Sequence, residues 1–216
     1  AQLNSDKVER VHYLSFNDPK PCFGIVLGES NGMLRSPFSA PFGGFLENGT
    51  HGLKRLEKAV DMLVDYAKER SLKLLITLPP LFYDETKISK WVSVMTRKMQ
   101  LSYINLNYHL DISRMPYYRS VIDRSARNHL NQALRQKYCL HKLNSANRDD
   151  VARVYNVIWC NHKERGFPLR MTFEQVWQTV SNVISADFFV LEHEGADVAA
   201  AQIFHVADGI AQVVYW

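Results

Sequence analysis

The chain has 216 residues, of which 46% are hydrophobic, 22% charged and 12% aromatic, with a formal net charge of +4. That balance excludes a disordered or fibrous chain and leaves length for one large domain or two small ones. It also excludes a transmembrane helix, since no apolar run approaches the roughly 18–20 residues a bilayer requires, and the net charge alone is too small to mark a nucleic-acid binder.

The first ten residues contain Asp6, Lys7, Glu9 and Arg10 with no apolar stretch behind a basic start, so they do not read as a signal peptide. Cys22, Cys139 and Cys160 are scattered without CxxC or CxxH spacing, which argues against a disulfide framework or a zinc site and fits a reducing compartment. A soluble, cytoplasmic protein is the expectation. Basic residues gather in the middle: from Asp111 to Arg170 there are twelve Lys or Arg against five Asp or Glu. Such a run suits an anionic partner or simply solvated helix faces.

Val8 to Phe16 alternates in part and meets a turn cluster at Asn17, Asp18 and Pro19, which predicts a strand and a turn. Cys22 to Leu27 is a second apolar run, and Glu29 to Gly32 supplies a hairpin turn before Met33 and Leu34. Ser36 to Phe45 (SPFSAPFGGF) holds two prolines and two glycines, which exclude regular structure and demand an ordered loop. From Gly52 the period changes: Leu53, Leu56, Val60, Leu63, Val64 and Ala67 recur at three and four residues, predicting an amphipathic helix to Arg70. Leu72 to Leu78 is a short strand stopped by Pro79 and Pro80. Ile88 to Met99 reads as a helix with Trp91, Val92 and Met95 inward, and Tyr103 to Leu110 alternates like another strand.

Ser120 to Lys137 predicts one basic helix with an inner stripe of Ile122, Ala126, His129, Leu130 and Ala133. Tyr138 to Leu143 is a short strand. Asn147 is a plausible N-cap for a helix carrying Val151, Val154, Tyr155, Ile158, Trp159 and His162, closed by Gly166. Thr172 and Gln175 form a capping box before Phe173, Val176, Trp177, Val180 and Ile184. Asp187–His193, Val198–Val206 and Ile210–Trp216 are three strands joined by turns at Glu194–Asp197 and Ala207–Gly209, a meander. The fold class is therefore α/β (α+β), mixed sheets flanked by helices in two lobes: 1–112, a linking basic helix over 113–138, and 139–216.

From Cys139 the order is strand, two helices, three antiparallel strands. With the segments SARNHLNQALRQKYCLHKL, RDDVARVYNVIWCNHKERGFP and DFFVLEHEGADVAAAQIFHVADGIAQVVYW, and the upstream SPFSAPFGGF, the chain resembles the GNAT acyltransferases. Within them it is similar to the two-lobed, FemAB-like or acetyltransferase 6-type branch. The resemblance implies an N-acyltransferase that takes an acyl group, with acetyl from acetyl-CoA as the expected donor, to a small-molecule or peptide amine. Strand N–H and C=O groups would align the thioester, and N–H groups at a helix start would hold the pyrophosphate. An aminoacyl-tRNA donor, as in the peptidoglycan branch, is an alternative that the absence of a long helical arm lowers. The family's Gly-rich phosphate loop would fall beyond Trp216, so the resemblance implies a second lobe left incomplete at its carboxy end, or else a non-catalytic binding module of the same fold.

Val213, Val214, Tyr215 and Trp216 take the position where that family places the donor, although aromatics at a strand end are also ordinary core. Gln202 and His205 lie on the neighbouring strand, three residues apart and so on opposite faces; one of them reaches the cleft as a substrate-binding residue, or the histidine is structural, since a general base also needs a positioned acceptor amine. Glu192, His193 and Glu194 pair acid with base but adjoin a turn, where charge serves solubility. Phe42, Gly43 and Gly44 either let an acceptor approach the backbone, in a cleft facing the second sheet, or make a tight turn. Arg119, Arg124 and Arg127 suit a phosphate or carboxylate, or solvent, and Tyr117 and Tyr118 beside them lack the repeated pattern that nucleic-acid stacking needs. No GxSxG elbow supports a hydrolase, no metal ligand set is present, and no catalytic residue is assigned.

Overall fold

Alternating apolar runs split by turns give two separate sheets in a mixed α/β chain. The computed structural model describes residues 2–17 and 20–216; the turn expected over Asn17–Pro19 lies partly outside them. The chain divides into two units, 1–107 and 108–216. The linking basic segment thus belongs with the second unit, and the first ends five residues before the boundary expected from sequence. No helix is long and apolar enough to cross a membrane among the described residues.

The first unit opens with a 3-10 helix, Gln2–Lys7, before its sheet: β1 (Arg10–Asn17), β2 (Pro21–Ser30), β3 (Met33–Ser36), β4 (Leu46–Glu47) and β5 (Lys73–Ile76). β1 and β3 flank β2 antiparallel, β4 pairs with β2, and β5 joins β3 in parallel. Helix α1 (Leu53–Glu69) buries Leu56, Ala59, Val60, Leu63 and Ala67, the three-and-four spacing read from sequence, whereas Leu53 is exposed. Helix α2 starts at Glu85, earlier than expected, because the Asp84 side chain accepts the Lys87 N–H at 2.9 Å, and it runs to Lys98. It buries Ile88, Trp91, Val94 and Met95; Val92, expected inward, is exposed. Trp91 stacks on Phe45 with centroids 4.4 Å apart and donates its Nε1–H to Glu47 at 2.7 Å.

A buried histidine adds a polar contact to this apolar packing. His12 is buried with Nδ1 2.8 Å from the Tyr66 hydroxyl of α1 and Nε2 2.7 Å from Glu29 of β2. The imidazole therefore ties helix to sheet through both nitrogens. The Arg70 guanidinium lies over the Tyr66 ring at 3.7 Å, a second contact on the same side chain.

Two elements depart from the sequence reading. Tyr103–Leu110 forms no strand: it is irregular and exposed throughout, with no neighbouring strand to close a ladder. Alternation alone supplies a face, and a strand also needs a partner for its N–H and C=O groups. The basic helix is broken in two. A 3-10 turn over Ile112–Tyr117 leads into α3 (Tyr118–Val121), and α4 (Arg124–Ala133) restarts after it. Ile122 is extended, and the Asp123 side chain caps the Ala126 N–H at 2.8 Å, so the local carboxylate wins over continuous helix. Ile122, Ala126 and Leu130 are half-buried, while His129 and Ala133 of the expected stripe are exposed.

In the second unit β6 (Tyr138–Leu143), β7 (Ala186–His193), β8 (Ala196–Ala207) and β9 (Ile210–Tyr215) form one antiparallel sheet in that order. Helices α5 (Arg148–Glu164) and α6 (Phe173–Asn182) begin at the expected caps: Asn147 accepts from Asp149 N, and Thr172 and Gln175 make the reciprocal box. Val151, Val154 and Ile158 of α5 and Val176 of α6 share a core with Phe188, Val190 and Ala200 of the sheet.

Truncating His12 should expose how much that internal polar tie contributes. His12→Ala is expected to destabilise the chain by about 2–4 kcal/mol, because it opens a cavity and strips two part-buried partners, and Tyr66→Phe by about 1 kcal/mol. Urea unfolding monitored by circular dichroism measures both; equal costs for the two variants would contradict the two-sided role of the imidazole.

Candidate functional site

The candidate donor strand β9 is the last strand of the second sheet, paired with β8 on one side only. Its register carries a break. Ile203 faces Val213 and Gln202 faces Tyr215, so Val214 has no partner on β8 and forms a bulge. A bulge bends its strand and re-aims backbone groups that a regular ladder would consume. The four residues singled out here separate: Val213 is exposed, Val214 and Tyr215 are half-buried, and Trp216 is exposed.

Tyr215 turns towards the helices. Its ring meets His162 of α5 edge-on at 5.8 Å and packs against the helix–sheet core. Burial pushes its phenol above the ordinary value, against the backbone of Arg170 and Met171, so it remains a neutral hydroxyl at neutral pH. Tyr155 of α5 lies in the same neighbourhood, donating to the Met171 carbonyl at 3.1 Å, and burial raises its phenol too. The segment between α5 and α6 is thereby pinned beside the end of β9.

Gln202 and His205 diverge, as their spacing requires across the sheet. Gln202 is 1% exposed, opposite Phe188 and Tyr215, and its Nε2 has no hydrogen-bond partner. An unpaired amide in an apolar layer is costly, on the order of 1–3 kcal/mol. His205 is exposed and lies 3.1 Å from Asp187, whose other oxygen is 2.7 Å from Lys142.

Glu192 is drawn away from its sequence neighbours. Arg153 of α5 makes two short hydrogen bonds to Asp197, 2.8 and 2.6 Å, and reaches Glu192 at 3.5 Å, with His141 3.4 Å from Glu192. The Arg153 guanidinium holds the Asp197 carboxyl below the usual range, and Lys142, with His205 adding to it, does the same for Asp187. His193 instead packs on Tyr138 at 4.8 Å, and Glu194 occupies the turn with φ 52°. Sequence reasoning missed the Arg153 cluster because its acid partners lie 39 and 44 residues away. Among the described residues no ion pair holds Arg119, Arg124 or Arg127, and Tyr117 is exposed beside them.

In the first unit the Phe42–Gly43–Gly44 segment folds onto its own sheet. Gly43 N donates to Thr77 O and Gly44 N to Ser36 Oγ, and Phe42 meets Tyr83 edge-on at 4.8 Å. A Cβ on Gly43 would lie 2.7 Å from Ser36 Oγ, and Gly44 has φ 101°. Close backbone packing therefore accounts for both glycines. No cluster of metal-ligating side chains is present among the described residues.

Compared with models of known families the sequence matches none, and no curated protein matches it.

Two outcomes are expected from this geometry. Asp197 and Asp187 have folded values below their unfolded ones, so each adds stability above the unfolded pKa of about 3.9, which is lost as pH falls through the folded value. Asp197→Asn should accordingly flatten the fall in stability below about pH 4, as measured by urea unfolding across pH. Gln202→Met removes the orphan amide at similar volume and should leave stability unchanged or raise it by about 1 kcal/mol; a loss of 2 kcal/mol or more in the same assay would show the amide to be satisfied.

Proposed function

We propose that this protein is an N-acyltransferase, with β9 as its donor strand. On this reading an acyl-CoA, acetyl-CoA by preference, lies along the free side of Val213–Trp216, in a GNAT-like lobe and a cytoplasmic setting. The observation that carries the reading is the bulge at Val214 on a strand paired on one side only. An edge strand presents unpaired N–H and C=O groups, and the bulge points one of them out of the ladder. A pantetheine chain, rich in amides, can pair with such an edge as a strand would.

The chemistry follows from that placement. The amine lone pair of the acceptor attacks the thioester carbonyl carbon, the carbon–sulfur bond breaks, and the departing thiolate takes up the proton that the amine gives up. Backbone N–H groups near Val214 would stabilise the oxyanion while negative charge develops on it. No side chain is assigned as base: His205 is engaged by Asp187, and Glu192 by Arg153.

A second reading, a binding module of the same fold, draws on the arginines of the middle segment, which no acid neutralises among the described residues. Charge reversal separates the two. Arg124→Glu with Arg127→Glu should leave donor binding intact in a transferase and abolish partner binding in a module.

Titration calorimetry of acetyl-CoA into the protein at its full natural length should show binding, and Val214→Pro, which deletes one N–H, should weaken it about tenfold or more. Absence of heat with every acyl-CoA tried would remove the transferase reading.

A further inference from the structure

Between Ile104 and Ile112 the chain alternates without a break: Ile104, Leu106, Tyr108, Leu110 and Ile112 are apolar, and Asn105, Asn107, His109 and Asp111 are polar. Period-two alternation over nine residues puts all five apolar side chains on one face of an extended chain. Those five are 80%, 85%, 93%, 81% and 75% exposed. Among the described residues no backbone–backbone hydrogen bond involves Leu101–Tyr108, and the Asn105 carbonyl accepts only locally, from Asn107 Nδ2 at 3.3 Å. The segment has the pattern of a strand, without a sheet.

It also carries none of the devices that protect an open edge. From Leu101 to Ser113 there is no Lys, Arg, Pro or Gly, and Asp111 is the one carboxylate. Edge strands ordinarily use charge, proline or bulges to refuse a partner.

The apolar face reads Ile, Leu, Tyr, Leu, Ile, the same in both directions and centred on Tyr108. We propose that this segment is an interaction surface for a second copy of the chain, which pairs with it antiparallel about a two-fold axis at Tyr108. A two-fold contact uses the same patch on both copies, so a self-complementary pattern is what it requires. In this register Leu106 lies opposite Leu110 and Tyr108 opposite its equivalent, while Ile112, which opens the 3-10 turn, meets Ile104 once that turn gives up its first residue. On the other face Asn107 meets His109 and Asn105 meets Asp111, so no like charges oppose each other. Shifting the register by one residue would place apolar residues against polar ones across the whole ladder. The pairing supplies partners for the backbone groups and covers five exposed side chains, and it is independent of the reading of β9.

Position-specific crosslinking tests the register. In a Cys139→Ser, Cys160→Ser background, Tyr108→Cys should form an intermolecular disulfide under mild oxidation. Leu106→Cys should not, because its equivalent lies four residues along the ladder, about 14 Å away and beyond disulfide reach. Sedimentation velocity at roughly 100 µM, a concentration suited to a small interface, should show a species of twice 24.9 kDa. Leu106→Lys with Leu110→Lys sets like charges opposite each other twice and should raise the dissociation constant about tenfold or more. Leu106→Lys with Leu110→Glu sets opposite charges there and should restore association. All five substituted positions are exposed, so circular dichroism should match the parent for every variant. A monomer at that concentration, crosslinking at 106 as efficient as at 108, or association unmoved by the paired lysines would each overturn the proposal.

Discussion

Val151, Val154 and Ile158 of α5 and Val176 of α6 are buried against Phe188, Val190 and Ala200, and that contact settles which side of the second sheet faces inward. Side chains alternate along a strand, so once Phe188 is inside, Asp187 and Phe189 must face the other way. Gln202 then falls opposite Phe188, in the apolar layer, and His205 is turned outward to Asp187 and Lys142. The bulge at Val214 is the local exception. It lets Tyr215 reach the helix side while Val213 stays exposed, and it does so where the strand has a neighbour on only one side.

The first unit rests on a different balance. Its helices and strands are joined by a broad apolar contact, but His12 adds a directional link between Glu29 and Tyr66. Hydrophobic contact is non-directional and tolerates sliding, whereas two hydrogen bonds to one imidazole define a register between α1 and the sheet. The loop after β3 is held in the same manner. Gly43 and Gly44 bring its backbone within hydrogen-bond reach of Thr77 and Ser36, an approach that a side chain at either position would block.

The misread elements have two causes. The segment around Tyr108 has a strand's alternation, but alternation reports only that one face is apolar; whether a ladder forms depends on a partner elsewhere. Asp123 sits inside an otherwise helical pattern, and a carboxylate that can bond a nearby N–H ends one helix and starts the next. Spacing along α2 points Val92 inward, while the helix instead buries Val94, which sits with Ile88, Trp91 and Met95 on the covered side. At Tyr108 and Val92 a short-range pattern allowed two outcomes and contacts from elsewhere in the chain chose between them, whereas at Asp123 a bond three residues along decided.

By itself the sequence determined the caps at Asn147 and Thr172, the stripe of α1 and the meander of the last three strands. These features come from interactions within a few residues, so local order is enough to write them. It also placed Val213 to Tyr215 on the last strand, which stops one residue short of Trp216, and Gln202 and His205 on opposite faces, because strand alternation is fixed by backbone geometry. The tertiary structure alone decided that Val214 is the unpaired residue, that Arg153 gathers Asp197, Glu192 and, through Glu192, His141, and that His12 is clasped between Glu29 and Tyr66. Each of those joins groups from separate elements, many of them tens of residues apart along the chain. Their distances are set by how helices settle on sheets, and nothing local in the chain encodes that.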